Sequence, residues 1–204
     1  MPIFSLKSIT SPEFDYNFLI HLLRGYKRPN DKIGELLNGG EIIRVKKGIY
    51  VLPGLGPSLP LLANMIYGPS YVSREYALSI YKLIPERVYQ VTSMTTGKNK
   101  RFETPLGVFT YTHLSHQAYQ EGITIYKIDH ERECIVATPE KALADRIFKE
   151  KFMSAKDAGL FVTEGLRIET SDLKKFNLKR MRSIENAYKK KNVTLLFDFI
   201  RGLK

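Results

Sequence analysis

At 204 residues with 43% hydrophobic content, the chain can bury a sizeable core as one large domain or two small ones. Its single cysteine, Cys134, excludes an internal disulfide, and no stretch has the length or flanks of a signal peptide or membrane span, so a cytoplasmic protein without a membrane partner is expected. The net charge of +11 sits at the two ends: Lys and Arg outnumber Asp and Glu 8 to 5 over residues 1–52 and 10 to 2 over 174–204, and balance at 14 each between, the pattern of end faces that meet phosphate or an acidic partner.

Residues 13–23, EFDYNFLIHLL, space their apolar side chains for an amphipathic helix of about three turns. A loop over 25–29 ends it, and Asn30 is a good N-cap for a second short helix. There Ile33, Leu36 and Leu37 form one stripe, Lys32 and Glu35 face out, and Gly39-Gly40 stop the pattern. The next run, GEIIRVKKGIYVLP, holds two β-branched stretches, 42–45 and 49–52, around a three-residue cationic turn. Gly48 supplies the left-handed conformation that such a turn needs, which projects Lys46 and Lys47 from the tip. A hairpin of this kind behind a short helix has the shape of a winged helix-turn-helix, predicted over residues 1–52.

The segment 53–60, PGLGPSLP, reads as a linker. Beyond it, 61–67 is helical, Gly68-Pro69 turns the chain, and Ser73 caps a helix with Glu75 in its first turn. Strand patterns follow at 88–95, 108–112, 123–128 and 133–137, with a basic reversal at GKNKR. Thr138-Pro139-Glu140 opens another helix, with Ala142, Leu143, Ile147 and Phe148 on its apolar face. Helical pieces are predicted at 155–164, 171–176, 178–190 and 193–202. The fold class is therefore α/β (α+β): a winged N-terminal unit, then a mixed-sheet domain over 61–204 with flanking helices and a basic helical tail, 174–204.

Catalytic and metal chemistry finds little support in the residues. His113, His116, His130 and Cys134 lack the four converging, cysteine-rich ligands of a structural zinc site, so no metal is expected. Thr96-Gly97-Lys98 has no glycine five residues before Gly97, and Asn99 stands in place of the metal-binding hydroxyl of a phosphate loop. Glu75, Glu103, Glu140 and Asp145, with Lys141, are the acids from which a metal-dependent nuclease would be built. Two of them, Glu75 and Glu140, occupy helix N-termini, which accounts for them structurally. The expectation is a non-enzyme without cofactor.

DNA contact is the chemistry that the cations fit. Arg28, Asn30 and Lys32 stand at the start of the second helix for base edges, Lys27 before them for a phosphate, and Arg44, Lys46 and Lys47 on the wing for phosphates or a minor groove. A second set, Lys98, Lys100 and Arg101 in the hairpin and Lys179, Arg180, Arg182, Lys189, Lys190 and Lys191 in the tail, either extends that footprint or meets an acidic partner.

The runs DKIGELLNGGEIIRVKKGIYVLP, LANMIYGPSYVSREYALSIYKLIPERVYQVTSMTTGKNKRFETPLGVFTYTHL and ATPEKALADRIF resemble the AbiEi family of bacterial antitoxins and transcriptional regulators from abortive-infection, type IV toxin-antitoxin loci. The resemblance covers roughly residues 13–150, and the ordered set of motifs is more specific than any one of them. It implies an N-terminal winged helix-turn-helix that binds repeats in double-stranded DNA of its own promoter, and an α/β domain that counteracts a separately encoded nucleotidyltransferase-like toxin. The segment between the first helix and the wing is shorter than in longer members, with room for one short helix. Two rivals stay open: a nuclease with a winged targeting domain, and a solitary regulator whose sheet domain senses a small ligand.

Overall fold

In the computed structural model, which describes residue 9 and residues 11–204, the first element is a strand. The rest of the 1–52 segment, residues 1–8 and 10, lies outside the described residues. Glu13–Asp15 (β1) pairs antiparallel with Ile49–Val51 (β3), so the helix predicted over 13–23 spans only Tyr16–Leu22 (α1). Asp15 sets that start: its carboxylate accepts the Phe18 N–H at 2.8 Å, and backbone before an N-cap is extended. The second helix, Pro29–Asn38 (α2), places proline at its first position, where the missing N–H costs nothing. Arg28 holds the N-cap place, two residues before the Asn30 expected there; Asn30 lies in the first turn and its side-chain oxygen accepts the Tyr16 hydroxyl at 2.9 Å.

Ile43–Lys46 (β2) and β3 form the expected hairpin, with a tighter turn than the spacing predicts. Pairing slips between Arg44 and Lys46, which makes buried Val45 the extra residue of a bulge. Lys46 thereby faces Ile49 across the strands, and the turn shrinks to Lys47-Gly48, with Gly48 at φ +86°. The three strands lie in the order β1-β3-β2, over a small core of Phe14, Leu19, Leu23, Ile33, Leu36 and Tyr50.

The larger sheet has six strands, ordered β6-β7-β5-β4-β9-β8: Ser70–Val72 (β4), Val91–Thr95 (β5), Lys100–Thr104 (β6), Gly107–His113 (β7), Ile123–Lys127 (β8) and Glu133–Ala137 (β9). It is mixed, since β5 runs parallel to β7 and β4 to β9, and the other neighbours are antiparallel. The helices are Leu59–Ile66 (α3), Arg74–Ile80 (α4), His116–Gln120 (α5), Pro139–Ile147 (α6), Ala155–Leu160 (α7) with a π-helical turn at Phe161–Gly165, Thr170–Leu173 (α8), Leu178–Tyr188 (α9) and Lys191–Gly202 (α10). No helix among the described residues is long and apolar enough to cross a membrane.

Alternation along the strands divides the interior in two. Tyr71 and Met94 face a core with Leu78, Leu143, Ile147, Ile184 and Leu196 from the helices. Val72, Phe109, Tyr111 and Val136 face the other way, onto Leu62, Ala63 and Ile66 of α3 and onto Val45, Ile49 and Val51 of the small sheet. The hairpin therefore shares an apolar core with the large sheet across α3. Two polar clasps reinforce it: the Arg132 guanidinium meets the fully buried Glu13 carboxylate at 3.0 Å, and the same carboxylate accepts the Ser58 N–H from the 53–60 segment.

Candidate nucleic-acid interface

Seven residues around α2 and the wing carry the sequence's expectation of DNA contact, and the fold sorts them. Lys27 and Arg28 are exposed at the start of α2. Arg28 lies 3.7 Å from Asp31, with the two side chains 80% and 65% exposed, a solvated pair that leaves the guanidinium available. Lys32 is partly exposed, bonded to the exposed Glu35 at 2.8 Å and 5.9 Å from the Tyr26 ring centre, and the Glu35 hydrogen bond raises its pKa above the ordinary lysine value. Asn30 is exposed, and its side-chain oxygen, which has a second lone pair, already accepts one bond from Tyr16. It keeps two amide N–H donors, while the Tyr16 bond fixes the orientation of the amide with which an asparagine reads adenine.

Lys46 corrects the expectation made for it. Instead of projecting from the tip, its ammonium donates to the Ile66 carbonyl at 2.7 Å and sits 4.6 Å over the Phe102 ring. Ile66 ends α3, where carbonyls lack helical partners and the dipole favours a cation, so Lys46 fastens the β2–β3 hairpin to the larger sheet. The bulge at Val45 accompanies this change of direction. Lys47 and Arg44 remain exposed, Arg44 with its guanidinium 5.8 Å from the Tyr50 ring.

Through that tether the β2–β3 hairpin reaches β6. Lys98, Lys100 and Arg101 are exposed along the hairpin around Phe102. Strand alternation places Lys100 on the Phe102 face, toward the wing, and Arg101 on the opposite face, ion-paired with Glu103. The structure thus places Lys47 and Lys100, far apart in sequence, on neighbouring elements. The tail divides as well. Arg180 contacts the buried Glu140 carboxylate at 3.1 Å, and Arg182 pairs with Glu185 at 2.6 Å over the Phe197 ring, whereas Lys179, Lys189, Lys190 and Lys191 stand exposed.

Comparison adds no relative to this geometry: no family model matches the chain, and no curated protein matches it.

The acids considered for a nuclease are each committed to their own partners. Glu75 pairs with Arg146 at 2.7 Å, Glu103 with Arg101, and Glu140 with Arg180 and the Asn177 N–H. Asp145 is fully buried at the centre of a network that sequence reasoning does not assemble. It accepts hydrogen bonds from Ser73 at 2.6 Å, from Tyr71 at 2.9 Å and from Tyr188, and Lys141, also fully buried, lies 3.6 Å away. Ser73 thus serves Asp145 and makes no capping bond to α4. Lys141 donates further to Tyr188 at 3.0 Å and to the Ala118 carbonyl. Burial lowers the Lys141 pKa against the pull of Asp145, and burial with the neighbouring carboxylate raises the Tyr71 and Tyr188 hydroxyls well above the ordinary tyrosine range. With its members closed from water and hydrogen-bonded to one another, the network joins β4, α6 and α9. The only early sign of it is a Lys and an Asp four apart on a helix whose other positions are largely apolar.

Proposed function

We propose that this chain is a DNA-binding transcriptional regulator with an N-terminal winged helix-turn-helix. We further propose that it represses its own operon through promoter repeats and counteracts a nucleotidyltransferase-like toxin, as the resemblance to the AbiEi family implies. The observation that carries the reading is the sheet order β1-β3-β2 enclosing two helices. Pairing of β1 with β3 ties the hairpin to the strand from which α1 emerges, so the start of α2 and the wing tip hold a fixed separation, as two contacts on one duplex require. Arg28 at the helix start is the base-reading candidate, and Lys27, Arg44, Lys47 and Lys100 are phosphate contacts. Lys46 is a tether. In this reading no residue performs catalysis.

Gel shifts on the chain's own promoter and on unrelated DNA test it. Arg28→Ala should cost about 1–3 kcal/mol on the promoter and less on unrelated DNA, whereas Lys47→Ala should weaken both alike and lower the salt slope by about one. Unchanged affinity and slope in both variants would remove the winged-helix assignment. Co-expression with the product of an adjacent gene tests the antitoxin half: restored growth supports it, and continued toxicity contradicts it.

A further inference from the structure

The junction between α9 and α10 carries three lysines at positions that each favour another residue. Lys189 ends α9 in the left-handed conformation, φ 51°, where glycine or asparagine is the ordinary choice. Lys190 is the N-cap of α10 and makes no side-chain capping bond. Lys191 opens α10, whose first turn contains no acid, although a helix start favours negative charge. The dipole of α9 favours Lys189 at its carboxyl end, but Lys190 and Lys191 face the positive end of α10 and gain nothing there.

A second segment converges on it. The buried Asn192 amide donates to the Ile147 carbonyl at 2.7 Å and to the Glu150 carbonyl at 3.1 Å, which clamps the chain after α6 against the α9–α10 junction. Lys149, its ammonium 5.4 Å from the Phe148 ring centre, and Lys151 flank that clamp, which sets their segment beside the Lys189–Lys191 run; all five lysines are exposed. The adjoining acids are engaged elsewhere: Glu150 with Arg146 at 2.5 Å, and Glu185 with Arg182 at 2.6 Å.

We propose that this five-lysine surface binds the phosphate backbone of a nucleic acid without regard to sequence. It deepens the DNA-binding reading, on which the choice of partner rests, yet shares no residue with α2 or the wing. Composition decides between a polyphosphate and an acidic protein. Lysine is depleted at protein interfaces, which favour arginine and aromatic anchors, and this cluster has neither an arginine nor an exposed aromatic ring. Ammonium point charges neutralise phosphates without reading bases, and the Asn192 amide at the clamp has both of its donors taken by backbone carbonyls.

The test uses the full chain with Lys149, Lys151, Lys189, Lys190 and Lys191 all changed to Gln, titrated by fluorescence anisotropy against promoter and unrelated duplexes between about 50 and 200 mM salt. Affinity for both duplexes should fall by the same factor, about tenfold or more, with the promoter preference intact and the salt slope shallower by about 0.9 for each phosphate that the variant no longer neutralises. Lys190→Asp separates binding from folding: a capping carboxylate should raise the melting temperature while DNA binding weakens. An unmoved slope and affinity in the five-Gln variant would overturn the proposal, as would loss of an acidic protein partner alone. If promoter preference is missing from the wild type but the slope still falls in the variant, this surface stands and the sequence-reading assignment fails.

Discussion

Asp145 shows how strongly a single side chain depends on its surroundings in this protein. A carboxylate with no exposure is tolerable because three hydroxyls donate to it and a buried ammonium lies 3.6 Å away. Removing one charge leaves the other uncompensated. Asp145→Asn should therefore destabilise the fold by about 3–5 kcal/mol in urea denaturation, and the pair Lys141→Met with Asp145→Leu should cost less than the single change. A single variant within about 0.5 kcal/mol of wild type would contradict this account of the network. At surface positions the scale is different: Arg28 and Lys47 are exposed, so in the proposed reading their replacement should change DNA binding with little effect on stability.

Among the elements, the β2–β3 hairpin has two lysines in opposite surroundings. Lys46 completes the end of α3 and touches Phe102, whereas Lys47 stands in solvent at the turn. Lys46→Met keeps the aliphatic stem but leaves the Ile66 carbonyl without its donor, and should cost about 1–2 kcal/mol of stability while the salt slope of DNA binding stays in place. A variant that keeps its stability and loses slope would return Lys46 to the phosphate contacts. Much of this layer was legible: the hairpin, the short second helix, the mixed sheet and the C-terminal helices all follow from periodicity, turns and capping residues. Strands β1 and β4 did not, because three residues are too few to show alternation, and their roles come from partners at Val51 and Thr95; nor did β6, whose first residues, Lys100 and Arg101, read as part of the basic reversal. The destination of Lys46 was hidden for a related reason, since it depends on where α3 ends against the wing. The Asp145 network draws on positions 71, 73, 141, 145 and 188, a spacing that no local pattern encodes.

At the scale of the molecule, the two sheets are coupled through α3, the Glu13–Arg132 pair and the Lys46 tether. The β2–β3 hairpin is thereby fixed against a large sheet that carries its own exposed cations on β6 and beyond α6. A net charge of +11 gives such a chain general affinity for polyanions, so sequence preference is what separates a regulator from a merely basic protein. The deciding measurement is a salt titration of the purified protein on its own upstream promoter against an equal length of unrelated DNA. A preference of about a thousandfold for the promoter is the predicted result, and equal, steeply salt-dependent binding to both would contradict the central claim.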